Sequence, residues 1–307
     1  MTEANSKPQY SSIAILYIAV FFVLPILGTL TAVGLLFYSG ITWLEVSLLL
    51  TMYVLCFIGA EVGMHRFFNH HSFEAKYPMQ VILAILGLMS ASGGLEYWVI
   101  GHSRHHKYSD ETGDIHSPHT SRDGLVFSNQ LQGLYYSQLT WHFDPANGRN
   151  TDDLNRLDKL LKDPVMFKIN ELHLFWVILG FVIPAIIEGL ITWSWIGAFH
   201  GLIWGGLVRV FLVQQFIASV NSVCHLYGDR PFKTNGLSTN NIWLAIPTLG
   251  GSWHNNHHAF PNSAITGLEW WQIDISSWVI WLLEKTGVVS DVKRPKPSMI
   301  EAKRLTT

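Results

Sequence analysis

From Ser12 to Tyr38 the chain reads SIAILYIAVFFVLPILGTLTAVGLLFY, without one charged side chain. About 20 apolar residues in a helix cross the hydrocarbon of a bilayer. Water is absent there, so only a conformation that satisfies its own backbone polar groups can span it. Pro25 and Gly28 are placed to bend such a helix. The apolar core is too long for a secretory signal, and no basic cluster precedes it. A second apolar run covers Thr42 to Ala60, interrupted only by Glu45. Leu172 to Trp193 and Ile196 to Val220 form another pair, divided by a short turn at Ser194–Trp195. A fifth run, Met79 to Leu95, is shorter and rich in Gly, Ala and Ser, and reads as a helix buried in protein or lying at the interface. The pattern predicts an all-α integral membrane protein with four transmembrane helices in two hairpins, at 12–38 with 42–60 and at 172–193 with 196–220. A polar cap is expected from 61–171 and 221–287 and a loose tail from 288–307, the whole forming a single domain. Within the cap, 268–287 mixes tryptophans with sparse charges, which suits either an interfacial helix or packing onto the cap.

Basic residues orient this plan. Of the twenty Lys and Arg, Lys7 precedes the first span, ten lie in 61–171, eight in 221–307, and Arg209 sits inside a span. The two short loops have none, so both polar regions and both termini are expected on the cytoplasmic side. Charged residues make up 14% of the chain, against about 25% in a soluble domain. The formal net charge of −2 gives no nucleic-acid signal. Cys56 and Cys224 are too few and too separated in context for a disulfide framework.

Histidine supplies the chemistry. HSRHH at 102–106 and HNNHH at 254–258 repeat the spacing His-x-x-His-His. His65 and His70 follow the second span, and His225 follows the fourth. The hydropathy plan thus puts every cluster on one side of the membrane. Residues i and i+4 share a helix face, so His102 with His106, and His254 with His258, can chelate one ion each, while His105 and His257 turn toward a neighbouring ion. His65 and His70 are five apart and need a helix end or an irregular turn to converge. Nine neutral imidazoles suit two ions of iron, zinc or copper. Structural zinc would call for cysteine, and a carboxylate di-iron bundle for Glu-x-x-His pairs. His71, His116, His119, His142, His173 and His200 read as supporting, surface or packing residues.

The stretches GMHRFFNHHSF, WVIGHSRHHKYSDETGDIHSPH, VNSVCHLYGDRPF and GGSWHNNHHAFPNSAITGLEWWQID resemble the boxes of membrane fatty-acyl desaturases of the stearoyl-CoA Δ9 type. The likeness covers roughly residues 40–285 and is nearest the bacterial branch. It implies four spans under a cytoplasmic helical cap holding a histidine-ligated di-iron site, in a bacterial inner membrane. One iron would take His65, His70, His102, His106 and His257. The other would take His105, His225, His254 and His258, with a water held by Asn221. The reaction implied is O2-dependent: one hydrogen leaves a CH2 of a fatty acyl chain and a second leaves its neighbour, giving a cis double bond and water. Two electrons must come from an outside donor such as a ferredoxin, rubredoxin or cytochrome b5, because the chain has no flavin, haem or iron–sulfur motif. A long apolar tunnel in the cap would hold the acyl chain.

Several positions depart from the family. GGS at 250–252 replaces Gly-Glu-Gly, Asn129 stands for a histidine, Glu61 for a threonine and Ala218 for a tryptophan. Arg209 matches the family, and a charge buried in a span needs a partner. The departures leave open a related outcome, acetylene formation or hydroxylation. They also leave open whether the acyl group comes on CoA, a carrier protein or a lipid. Ile100 occupies the place of a CoA-binding arginine, and no Lys or Arg lies between Arg122 and Arg149, which favours a carrier protein or a lipid over free CoA. A non-enzymatic metal-binding membrane protein would need polar residues along its spans. Apart from Arg209, Glu188 and His200 these spans are apolar.

Overall fold

The computed structural model describes residues 16–144 and 162–305. Residues 12–15 of the first expected span, together with Lys7, Gly148, Arg149, Lys159 and Thr307, lie outside the described residues. Four helices are long and apolar enough to cross a membrane: α1 (Leu16–Tyr38), α2 (Trp43–Asn69), α7 (His173–Thr192) and α8 (Trp195–His225). The intervening and following helices are α3 (Tyr77–Met89), α4 (Leu95–Tyr108), α5 (Gln130–Gln138), α6 (Pro164–Glu171), α9 (His254–Ala259), α10 (Ile275–Lys285) and α11 (Pro297–Lys303). Two short antiparallel strands, β1 (Glu74–Ala75) and β2 (Val289–Ser290), complete the elements used below.

The chain divides into two compact units, 1–53 with 180–212, and 54–179 with 213–307. In the first unit the span sequences behave as hydropathy dictates. Leu27, Leu30, Phe37, Leu190, Ile191 and Ile196 expose their apolar side chains, as lipid-facing residues do. Tyr38, Trp43, Trp193 and Trp195 are all strongly exposed at the ends of the spans, beside the two short loops, where amphipathic rings mark a membrane interface. Glycine lets the helices close up. A Cβ on Gly28 would meet Leu207, and one on Gly201 or Gly205 would meet Pro184. Pro25 falls just after a π-helical turn, Ala19–Val23, so the irregularity expected there is a widened turn.

The spans end later than hydropathy placed them. The apolar run stops at Ala60, yet α2 continues to Asn69 as a π-helix, Gly59–Asn69. The fourth helix likewise carries on to His225. Helix ends follow hydrogen bonding, and these polar extensions are buried in protein. In the second unit, α3 and α4 pack against the π-helical segment. Leu83, Leu88, Leu95, Val99, Phe67, Phe73, Met166 and Ile280 share one apolar core. The expectation of a buried helix after Met79 is therefore met by α3.

On α10, Ile280 joins that core while Trp278, Trp281 and Leu282 stay exposed; one helix thus combines cap packing with an apolar outer face. Residues 288–305, within the segment expected as a loose tail, carry β2 and α11. Lys293 N–H donates to the Ser72 carbonyl (2.9 Å), Leu305 N–H donates to the Pro231 carbonyl (2.8 Å), and Arg304 pairs with Glu269 (2.8 Å). Polar composition suggested looseness, but strand pairing and these bonds pin the segment.

Candidate metal centre

The first box owes its geometry to the π-helix. His70 N–H donates to the carbonyl of His65 (3.1 Å), an i→i+5 bond. That wider turn brings together two side chains that an α-helix would splay. The irregular turn predicted between them is a regular π segment. On α4, His102 and His106 are one turn apart with Nε2 atoms 3.0 Å from each other. On α9, His254 and His258 repeat this at 3.0 Å.

A six-residue helix such as α9 has little stability of its own. The two asparagines of HNNHH anchor it instead. Asn255 accepts from Phe232 N–H (2.9 Å) and donates to its carbonyl (3.2 Å). Asn256 donates to the carbonyl of Thr266 (2.8 Å) and to Gln272 Oε1 (2.9 Å), and accepts from Asn240 Nδ2 (2.7 Å).

Nine ring nitrogens converge in two groups. His65, His70, His102, His106 and His257 offer one set of atoms within 4.8 Å of one another, and His105, His225, His254 and His258 offer another. This is the division the family resemblance implied. Across elements the Nε2 atoms face each other: His65 to His257 (3.0 Å), His70 to His102 (2.9 Å), His106 to His257 (2.9 Å) and His105 to His258 (3.3 Å).

Carboxylates decide which nitrogen carries the proton. His105 Nδ1–H donates to Asp114 Oδ2 (2.9 Å), His225 Nδ1–H to Asp110 Oδ2 (2.7 Å) and His65 Nδ1–H to Glu61 Oε1 (3.0 Å). In each ring the opposite atom, Nε2, is then a lone pair. His225 Nε2 is buried with no hydrogen-bond partner among the described residues. Inward lone pairs facing one another repel unless a cation lies among them. The donor set therefore fits two soft-to-borderline metal ions.

Electrostatics agree. Burial, and then the neighbouring imidazoles, hold His102, His106, His254, His257 and His258 well below the ordinary histidine range, so their rings stay neutral. Burial pushes His105 down, but Asp114 together with Asp110 leaves it above the ordinary histidine range. Asp110 and Asp114 are held well below the usual carboxylate range by their histidines, against the effect of burial. His116 sits beside His105 and Asp114 and is pushed down to about 3 by burial. His119 bonds through Nε2 to the carbonyl of His225 (2.8 Å).

Asn221 lies four residues before His225 on α8 and makes no side-chain hydrogen bond among the described residues. Asn129 caps α5, accepting from Gln132 N–H (2.9 Å), and so has a structural role at the position where the family has a histidine. The sequence reading missed Asp110, Asp114 and Glu61. The signal was available, since SDETGD follows the second box directly and Glu61 precedes His65 by four. A cavity of about 690 Å³ opens beside α9, lined by Trp243, Trp253, Asn256, Trp271, Gln272 and Arg304 among others. Aromatic and polar side chains share its lining, and the nine histidines are not part of its wall.

The fold and site define a class: a helical chain with four helices long and apolar enough to cross a membrane and two histidine groups able to hold metal ions. The family model "Fatty acid desaturase" matches residues 41–280, and the chain belongs to that family. It is 47% identical over 283 residues to the hex-5-enoyl-[acyl-carrier protein] acetylenase of Moorena producens, covering 92% of this chain and 87% of the relative. It is 34% identical to the Delta-9 acyl-lipid desaturase 1 of Arabidopsis thaliana, covering 84% and 78%. It is 33% identical to the sn-1 stearoyl-lipid 9-desaturase of Synechocystis sp., covering 83% and 73%. The chain is thus an oxidoreductase acting on fatty acyl chains, and the reading as a non-enzymatic metal binder falls away.

Proposed function

We propose that the protein is an O2-dependent di-iron desaturase that places a cis double bond in an acyl chain delivered on an acyl carrier protein. His65, His70, His102, His106 and His257 hold one iron. His105, His225, His254 and His258 hold the other, with Asn221 supporting a bound water. Iron bound there supplies the O2 chemistry that an unactivated CH2 demands. Burial and neighbouring imidazoles keep His102, His106, His254, His257 and His258 neutral. Glu61, Asp114 and Asp110 fix the protonated nitrogens of His65, His105 and His225, and Asn255 and Asn256 brace the ligand helix α9. The observation that carries this reading is the convergence of two imidazole groups with their lone pairs directed inward. Electrons come from an external carrier of the ferredoxin, rubredoxin or cytochrome b5 kind.

Two observations favour the carrier protein. The stretch after the second box has no cation between Arg122 and Arg149, and CoA phosphates call for several. The Moorena relative is named for an acyl-carrier-protein substrate. That name also favours a second reading, in which a further desaturation converts an alkene to an alkyne. We place the active site and both termini in the cytoplasm of a bacterial inner membrane, with the exposed tryptophans of α10 against the lipid. The test offers matched acyl groups on acyl carrier protein, CoA and phospholipid to the iron-loaded enzyme with one electron donor. Loss of one H2 from the carrier-protein substrate supports desaturation, and loss of a second supports the alkyne. Fastest turnover on acyl-CoA overturns the carrier assignment.

A further inference from the structure

A second cluster of ligating side chains lies inside the spanning helices of the first unit, and neither the desaturase reaction nor the histidine boxes account for it. Glu45 on α2, Glu188 on α7 and His200 on α8 bring one carboxylate oxygen each and a ring nitrogen within 4.8 Å of one another. Glu45 and Glu188 are almost completely buried, and the His200 side chain is 15% exposed. His200 Nδ1 contacts Glu45 Oε1, and Thr42 N–H donates to Glu45 Oε2. Glu188 is different. Its side chain is 97% buried and its Oε2 has no hydrogen-bond partner among the described residues.

A carboxylate in this position is costly unless something neutralises it. His200 can balance one glutamate, not two. Arg209, the arginine of α8, reaches toward the other end of α7. Its Nη2 donates to the carbonyl of Gly180 (2.8 Å), eight residues from Glu188 along α7, about 12 Å at the helical rise. The packing also makes room for the cluster. A Cβ on Gly201 would lie 2.9 Å from Glu188 Cβ, so glycine there lets the glutamate settle between α7 and α8.

We propose that Glu45, Glu188 and His200 form a divalent-cation site of the zinc class. Two carboxylates and one imidazole give a neutral centre with a dication, and the set matches borderline metals that accept mixed nitrogen and oxygen donors. Three protein ligands leave a coordination position for solvent, and the partly exposed His200 is the side from which an ion enters. The ion ties α2, α7 and α8 together.

The test uses the full-length, iron-loaded protein in detergent, titrated with Zn2+ alone while iron is counted in the same samples. One Zn2+ per chain should bind with iron content unchanged. Glu188→Gln, which keeps the volume, should weaken that binding about 100-fold, at the upper end of what losing a group near a metal costs, and should leave both irons in place. X-ray absorption of zinc bound to the unaltered protein should show one imidazole in a mainly oxygen shell. No zinc uptake beyond exchange with iron, an imidazole-rich zinc shell, or wild-type affinity in Glu188→Gln would each overturn the site; the first outcome is the one a cluster charged only by protons would give.

Discussion

Asp274 ties the cap together through six hydrogen bonds, and replacing it by asparagine measures how much they contribute. The residue is buried, and its two oxygens receive six donors. Oδ2 accepts from Thr266 N–H (2.7 Å), Thr266 Oγ1 (3.0 Å), Gly267 N–H (3.1 Å) and Arg66 Nη1 (3.3 Å). Oδ1 accepts from Arg66 Nη2 (2.9 Å) and Ser277 N–H (3.0 Å). An asparagine keeps the shape but can present an acceptor on one side only. The cheaper orientation retains the four donors at Oδ2 and turns an NH2 toward Arg66 Nη2 and Ser277 N–H. That loses a charge-assisted bond, worth roughly 1.5–3 kcal/mol, and a backbone cap of about 1 kcal/mol. Glu61 still pairs with Arg66 (3.3 Å), so the sum stays near 3 kcal/mol rather than rising past the upper range for a broken buried pair. At roughly 2–4 °C per kcal/mol for a chain of this size, the midpoint should fall by about 6–12 °C in a thermal-shift assay of the detergent-solubilised protein. A fall below about 2 °C would refute the reasoning, because it would mean the donors find water or other partners. Burial pushes the Asp274 carboxyl up, but Arg66 together with the Thr266 and Ser277 N–H donors holds it below the usual carboxylate range. Its contribution is therefore full above the unfolded pKa near 4 and is lost as the pH drops further.

Other expectations follow from the same geometry. Replacing His105 or His257 by Ala should strip iron from the protein and abolish turnover, with metal analysis as the readout; full activity in either variant would sink the site assignment. Five ring nitrogens are held below the ordinary histidine range, so the folded iron-free protein resists protons that the unfolded chain takes up. Its midpoint should drop as pH falls below about 6.5, with His105 alone acting in the opposite sense, and a flat profile from pH 7 to 5 would contradict this. Reporter fusions at Gly40 and Ser194 should lie on the far side of the membrane and those at Gly148 and Thr307 in the cytoplasm, whereas a far-side Gly148 would separate the histidine boxes. Gly251→Glu should cost stability in the native background and much less beside Glu61→Thr, with a coupling above about 0.5 kcal/mol in a double-mutant cycle.

Legibility in the sequence tracked the strength of the physics behind each element. Four long apolar runs, with at most one charge each, announced four spans, because so much contiguous apolar surface is best hidden in a membrane. Their ends did not show. Hydropathy falls at Ala60 while hydrogen bonding carries α2 to Asn69, and nothing in GAEVGMHRFFN announces an i→i+5 ladder. The five-residue gap between His65 and His70 was the one hint, since a metal pair at that spacing asks for a wider turn. The segment 288–305 misled for the opposite reason. Its polarity matches solvent, yet Lys293, Leu305 and Arg304 each find a partner distant in sequence, and long-range pairing has no local signature.

His102 with His106 and His254 with His258 could be read from spacing because i and i+4 neighbours meet on any helix, but the groups that orient the histidines could not. Asp114 and Asp110 reach back from the turn after α4 to His105 and His225, and only the fold reveals that return. Glu61 is the instructive case. The family resemblance predicts a threonine in its place and a glutamate in place of Gly251, and the two positions are far apart in the chain. In the structure they meet. A Cβ on Gly251 would sit 3.3 Å from Glu61 Oε2, so there is room for one carboxylate here and no comfortable room for two. Glu61 occupies that place from α2, accepting from His65 and pairing with Arg66. The acid beside the third box is thus supplied from the first box, by Glu61. Glu61 thus orients His65 and pairs with Arg66 from the helix that bears all three, α2.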